Sequence, residues 1–226
     1  MGARIALAGV AFLADPSGAL FDPAAGLMLV ADLHLEKGSA FAARAALLPP
    51  YDTRATLLRL AGAAERLRPR AIAALGDSFH DRRGPARLAG DDRRLLAELQ
   101  RGRDWLWITG NHDPQLPEWL GGEVHAEARH GPLTLRHVPG TAADDGAWIA
   151  GHLHPAARLR LRGRTLRRRC FVSDGRRCVL PAFGAYAGGL NVRDPAFRPL
   201  FPQGMEVRLA GERRVFAVPV AMLAPD

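Results

Sequence analysis

The apolar positions fall into two regimes. In the first half of the 226-residue chain, short unbroken apolar runs alternate with longer stretches of helical period. Gly26 to Ala31 reads Gly-Leu-Met-Leu-Val-Ala, which suits a strand covered on both faces. Before it, Ile5 to Leu13 alternates loosely as a first strand. Asp15-Pro16-Ser17-Gly18 makes a turn, and Ala19-Leu20-Phe21 returns as a short strand. Asp52 to Arg68 carries Leu57, Leu60, Ala61, Ala64 and Leu67 as an apolar stripe, with Asp52 as the cap and Pro69 as the stop, and predicts a helix. Ala71 to Leu75 is a second buried strand. Ala86 to Gln100 is a second helix with Leu88, Leu95, Leu96 and Leu99 inward, and Asp104 to Thr109 is a third strand.

The second half changes character. Strands are expected at Leu133 to Val138, Trp148 to Ala150, Ala157 to Leu161, Leu166 to Val172, Arg177 to Leu180, Glu206 to Leu209 and Arg214 to Val218, with no long helix. Strand, helix, strand, helix, strand in the first half implies parallel pairing through helical crossovers. The expected class is α/β, two packed sheets with helices outside, in one domain spanning residues 1–226. In such sheets ligands sit beyond the carboxyl ends of the strands.

Five polar clusters fall after predicted strands. They are Asp32-Leu33-His34, Gly76-Asp77-Ser78-Phe79-His80-Asp81, Gly110-Asn111-His112-Asp113, an isolated His137, and Gly151-His152-Leu153-His154. Each supplies carboxylate, amide or imidazole, donors that suit Mn, Fe or Zn. Residues i and i+2 of an extended segment point the same way, so Asp32 with His34, and His152 with His154, can each present two donors to one cavity. A carboxylate such as Asp77 can bridge two ions. The glycines before Asp77, Asn111 and His152 suit turns where backbone approaches a site closely.

This ordered set resembles the calcineurin-like metallophosphoesterase superfamily, whose pattern is Asp-X-His, Gly-Asp-X-X-(Asp/His), Gly-Asn-His-(Asp/Glu), His and Gly-His-X-His. The match spans about residues 26 to 155. The resemblance implies a four-layer sandwich of two mixed β-sheets flanked by helices. It also implies one divalent ion, most simply Mn with Fe or Zn as alternatives, on Asp32, His34, Asp77 and His154. A second ion would rest on Asp77, Asn111, His137 and His152, with Asp77 bridging. His137 is preferred over nearby His125 and His130 because Leu133 to Arg136 gives it a strand to stand on. Two such ions, ~3.5–4 Å apart, polarise phosphoryl oxygens and generate a hydroxide at neutral pH. His112 resembles the catalytic histidine that protonates the leaving oxygen. Many phosphatases of the superfamily carry Asp at the position of His80 and orient the catalytic histidine with it, so the resemblance implies that His80 joins His112 in the catalytic set. The DNA double-strand-break nucleases have Gly-Asp-X-Phe-His, as here.

Ala31-Asp32-Leu33-His34-Leu35-Glu36-Lys37, Gly151-His152-Leu153-His154-Pro155 and Leu180-Pro181-Ala182-Phe183-Gly184 with Gly188-Gly189 narrow the likeness. Together they resemble the ligase-associated DNA damage response endonuclease family (PdeM), over about residues 4 to 218. Lys37 follows Glu36 directly, where that family is expected to have Gly then Lys; the departure touches no ligand. The resemblance implies a phosphodiesterase acting on DNA, with repair ligases and helicases as partners. The glycine-rich Phe183 to Gly189 stretch is expected beside the metals. The competing readings are a phosphomonoesterase or nucleotide phosphodiesterase on small molecules, and a non-catalytic scaffold of the same fold. Every ligand position and His112 are filled, which speaks against the scaffold.

Charge adds to this only in part. The formal charge of +8 comes from arginine, Lys37 being the only lysine. Such a balance suits a polyanionic partner. Arg158, Arg160, Arg162 and Arg164 alternate with Leu159 and Leu161, so a strand there would turn leucines inward and arginines outward, towards phosphates or simply towards water. No aromatic interleaving of the kind used by single-strand binders is present. Cys170 and Cys178 are expected to be reduced and buried rather than a disulfide framework. The N-terminus lacks a signal-peptide layout and no run approaches a membrane span, so a cytoplasmic location without membrane contact is expected.

Overall fold

The computed structural model describes residues 2–46, 48–141, 146–161 and 163–226. Arg162, one of the alternating arginines, lies outside the described residues.

The first sheet has the strand order β1 to β7. β1 (Ala3–Leu7), β2 (Val10–Ala14), β3 (Leu20–Asp22) and β4 (Leu27–Val30) form an antiparallel meander. β4, β5 (Ala71–Leu75), β6 (Asp104–Ile108) and β7 (Glu123–His125) are parallel. The helices α1 (Lys37–Ala42), α2 (Asp52–Leu67), α3 (Gly84–Arg87) and α4 (Gly90–Gln100) lie in the crossovers. The second sheet is built from β8 (Glu127–His130), β9 (Leu133–Arg136), β10 (Ala147–Ala150), β11 (Pro155–Leu161), β12 (Arg164–Ser173), β13 (Arg177–Val179) and β14 (Leu190–Asn191), in the order 14-11-12-13-10-9-8. β15 (Glu206–Ala210) and β16 (Val215–Val218) extend it beside β12, and β17 (Leu223–Ala224) pairs with β11. Both sheets are mixed.

Strand alternation sorts the core into layers. Met28, Val30, Ile72 and Ala74 face α2 and α4 and pack on Leu57, Leu60, Ala64, Leu96 and Leu99. Their neighbours Leu29, Ala31, Ala73 and Leu75 face the second sheet and meet Leu133, Leu135, Ile149 and Phe171. The outer face of the second sheet, with Trp148, Ala150 and Val172, is covered by Val192, Phe197, Leu200 and Phe201. The fourth layer is therefore an irregular segment with a short 3₁₀ turn at Pro195–Phe197, and the second half has no α-helix among the described residues. Cys170 and Cys178 are buried and free, and they point to opposite faces of the second sheet. No helix among the described residues is long and apolar enough to cross a membrane.

Three expectations are corrected here. The segment Ile5 to Leu13 is two strands, because Ala8 (φ 47°) and Gly9 (φ 85°) are both left-handed and fold it into a tight hairpin. The helix expected at Ala86 to Gln100 is broken: Leu88 and Ala89 are extended, and α4 restarts at Gly90. Asp52 makes no side-chain cap on α2. Its carboxylate instead accepts from the backbone N–H groups of Lys37 and Gly38, at 2.8 and 3.1 Å. A carboxylate satisfies the free donors at whichever helix start it reaches, and here that is the first turn of α1.

One carboxylate–imidazole contact ties the two sheets together. Asp22 of β3 contacts His130 of β8, Oδ2 to Nε2, at 2.7 Å. Its other oxygen accepts from the N–H groups of Ala24 and Ala25. Burial alone would raise the Asp22 pKa, but the N–H of Ala25, His130 and the N–H of Ala24 outweigh it and hold it below the usual value. A depressed carboxylate adds stability above its unfolded pKa of ~3.9, and that stability is lost as pH falls through the lower folded value. Asp22→Asn is therefore expected to be less stable than the wild type at neutral pH, with the gap closing below about pH 4. Urea midpoints measured across that range check it; a gap constant with pH would contradict it.

Candidate metal centre

The parallel strands end on one side of the sandwich, and each ends at a polar residue. β4 runs into Asp32, β5 into Asp77 and β6 into Asn111, while in the second sheet β9 runs into His137 and β10 into His152. The loops are sewn together by their backbones. Asp32 N–H donates to Gly76 O, His34 N–H to Asp77 O and Gly151 N–H to His137 O.

The side chains form two triads whose donor atoms lie within 4.8 Å of one another: Asp32, His34 and His154, and Asp77, His137 and His152. In the first, the Nε2 atoms of His34 and His154 are 3.1 Å apart, and Asp32 Oδ1 lies 3.3 Å from His154 Nε2. In the second, His152 Nδ1 is 3.2 Å from His137 Nε2, which is 3.4 Å from Asp77 Oδ2. Asn111 Oδ1 approaches the same His137 nitrogen at 2.9 Å. His137 Nδ1 lies 3.1 Å from the carbonyl of Leu75. A carbonyl only accepts, so Nδ1 carries the proton and the Nε2 lone pair faces the triad. Burial, with the charges of its neighbours, holds the His34 pKa far below the usual histidine value, which keeps the ring neutral and able to ligate. Paired imidazole lone pairs aimed at one point beside a carboxylate fit a divalent ion with nitrogen and oxygen ligands.

The backbone here is not the extended ladder expected from i, i+2 spacing. Asp32, His34, Asp77, His152 and His154 all have positive φ, between 45° and 71°. The alternate residues still share a cavity, but they reach it from successive left-handed turns beyond the strand ends. Close approach also dictates the glycines. A Cβ on Gly110 would lie 2.2 Å from the Asp77 backbone nitrogen, and one on Gly151 would lie 2.5 Å from Asp32 Oδ2.

His112 stands outside both triads and is partly exposed. Its Nδ1 lies 2.8 Å from the His80 carbonyl, so it donates there and turns Nε2 inward, 3.9 Å from Asp77 Oδ2. The His80 ring stacks on that of His112, with centroids 5.4 Å apart and planes 20° apart, and meets His34 edge-on. Asp81 is drawn away to Arg87. His125 pairs with Glu123 and His130 with Asp22, so neither joins the cluster. The Phe183–Gly189 stretch lies beside the cluster. Gly184 N–H donates to Asp32 O, and a Cβ on Gly184 would lie 2.4 Å from Leu33 O.

Two residues that sequence reasoning left without a role hold the site together. Asp113 is buried, and its carboxylate accepts from the N–H groups of Asp77, Gly110 and Phe79 at 3.0–3.1 Å. It ties the second cluster to the third. Glu36 is buried against Thr53 and Ser39, fixing the chain between His34 and α1. The fourth residue of Gly-Asn-His-Asp was visible as a motif position; its three backbone donors were not.

A double sandwich thus carries two Asp/His triads at its strand ends, each compatible with a divalent ion. Among solved structures, the chain is similar to the nuclease MPE of Pseudomonas putida, with 30% identity, a TM-score of 0.77, and 96% of this chain and 100% of that one covered. The chain belongs to the family of that nuclease. A protein of unknown function from Aquifex aeolicus is 15% identical over 57% of this chain and 78% of that one, with a TM-score of 0.42. No family model and no curated protein matches.

Asp113→Ala strands three buried N–H donors, each costing ~1–3 kcal/mol when unsatisfied. It is expected to lower the urea midpoint and the bound metal together, and Asp113→Asn, which keeps one acceptor oxygen, to do so less. Full metal content in the stable alanine variant would refute the tie.

Proposed function

We propose that this protein is a two-metal phosphodiesterase of the calcineurin-like metallophosphoesterase superfamily, and a nuclease acting on DNA. The observation that carries the reading is the place of Asp77. Its Oδ2 lies 3.4 Å from His137 of one triad and 3.9 Å from His34 of the other, and the uncommitted His112 Nε2 is 3.9 Å away. The likeness to the Pseudomonas putida nuclease supports the substrate class.

Asp32, His34, Asp77 and His154 would hold one ion, and Asp77, Asn111, His137 and His152 the other. Ions held there would supply Lewis-acid polarisation of the phosphoryl oxygens and a hydroxide nucleophile at neutral pH. The chain's own residues supply the rest. With its Nδ1–H donated to the His80 carbonyl, His112 can deliver a proton to the leaving oxygen from Nε2 as the imidazolium, ending as the neutral ring. His80 positions that ring by its carbonyl and by stacking. Asp113 keeps Asp77 aimed by fixing its backbone nitrogen.

The donor set has no thiolate, which favours Mn over thiophilic ions. Chelation is expected to abolish hydrolysis of an activated phosphodiester, and Mn to restore it best; activity surviving in metal-stripped protein would end the two-metal reading. Single-stranded DNA, a cyclic nucleotide and a phosphomonoester compared as substrates should rank in that order. Preference for the monoester would assign the site to phosphatase chemistry.

Ligation and proton transfer separate by substitution. Asp77→Ala is expected to lose metal and turnover together. His112→Ala is expected to keep the metal and lose ~10²–10⁴-fold in kcat, the range of a general acid. Metal analysis beside rate measurement decides, and a metal-free His112→Ala would move that residue into the ligand set.

A further inference from the structure

A large cavity lies away from the triads. It is an open cleft of about 970 Å3 between α2, the β2–β3 turn, β12 and the β15–β16 turn. Arg59, Arg66, Arg167, Arg168, Arg169 and Arg213 line it, against the two carboxylates of Asp15 and Glu212. Half of the chain's net charge of +8 is thus gathered in one concavity.

Two of these arginines are placed unusually. Arg59 and Arg169 both donate to the single carbonyl of Phe183, at 2.8 and 3.1 Å, and Arg169 donates also to Gly184 O at 2.7 Å. Among the described residues neither makes an ion pair with a carboxylate, whereas Arg66 pairs with Asp15 and Arg168 with Glu212. Burial, then the charge of Arg59, pulls the Arg169 pKa down to about 10. Two half-buried cations sharing one neutral acceptor repel each other and lack a counter-charge, an arrangement that an arriving anion relieves. The segment they hold is also the wall of the metal centre: Phe183 N–H donates to Ala31 O and Gly184 N–H to Asp32 O.

We propose that this cleft binds the backbone phosphates of the nucleic-acid strand whose cleavage is proposed above, on the far side of the Phe183–Gly184 segment from the metal ligands. The inference rests on that reading of the site. The lining chemistry selects this partner. A concave cleft cannot meet a flat bilayer. A free nucleotide would need a base platform, and the lining has no aromatic ring. Arginines on separate elements around an open trough match a chain of phosphates, and without base contacts the binding should be indifferent to sequence.

The test uses the metal-loaded protein and a fluorescent phosphorothioate oligodeoxythymidylate, which keeps the charge of every linkage and resists cutting. Anisotropy titrations at several salt concentrations give affinity and its salt slope. Arg66→Gln with Arg168→Gln should weaken binding and flatten the slope by ~1.4, two phosphates at ~0.7 each for a single strand. Arg158→Gln with Arg160→Gln, on the β11–β12 hairpin, removes the same charge elsewhere and should have the smaller effect. If the first variant fails to fold by circular dichroism, Arg168→Gln with Arg213→Gln repeats the test and leaves the Arg66–Asp15 pair intact. Equal losses in cleft and hairpin variants, or none in the cleft variant, would overturn the cleft alone. If the wild type binds no strand yet hydrolyses a small diester, the nucleic-acid reading itself falls.

Discussion

Everything at the candidate metal centre depends on one seam, where the two sheets touch at their strand ends. Ala31 bridges to Ala182, Phe183 N–H donates to Ala31 O and His152 N–H donates to the Asp32 carboxylate at 2.9 Å. The first sheet alone would present Asp32, Asp77 and Asn111 with a single imidazole, His34. The second alone would present His137, His152 and His154. Only across the seam does the Asp77 triad gain its imidazoles and the Asp32–His34 pair its second one, His154. The space between the sheets leaves no slack, since Ala31, Ala73 and Leu75 are wholly buried against the second sheet. A shift of either sheet would separate donor atoms that must converge within an ion's coordination distance.

Convergence has a conformational cost. Five of the seven residues assigned as ligands adopt left-handed backbone, which disfavours L-residues by ~1–2 kcal/mol each. The surrounding hydrogen bonds over-determine these turns. Asp113 holds the backbone of Asp77, Glu36 that of the segment after His34, and Gly76 O receives the N–H of Asp32. Strain concentrated at the residues assigned as ligands, and offset by buried carboxylates that touch no ligand donor atom, is what a preorganised centre requires.

How much of this was legible depends on the range of the interaction. The strands carrying Asp32, Asp77 and Asn111 could be read because an unbroken apolar run ending at Gly or Asp is a local signal. The class of the fold followed from the order of those runs. The hairpin at Ala8-Gly9 was missed because Ala is a poor marker of left-handed backbone, and the interruption at Leu88-Ala89 because its apolar residues keep the helical stripe going. Asp52 sat where an N-cap belongs; only folding shows that Lys37 and Gly38 take its oxygen. The expected extended geometry of Asp32-Leu33-His34 failed for a related reason. Spacing says which residues share a face, but the left-handed turns come from tertiary bonds to Gly76 and Asp77.

The arginine-rich composition gains a physical sense at the Phe183–Gly184 segment. The structure needs two cations there, close together and partly buried, bonded to carbonyls rather than to acids. A lysine so placed would readily give up its proton, because an ammonium is strongly hydrated and its pKa yields to burial. A guanidinium keeps its charge, and its planar fork can reach two carbonyls at once, as Arg169 does with Phe183 and Gly184. The unused edge of the fork is then available to an anion in the cleft. The same side chain can therefore brace the wall behind Asp32 and face a phosphate. Binding in the cleft and alignment at the metals would be coupled through a segment only a few residues long, with no conformational change required.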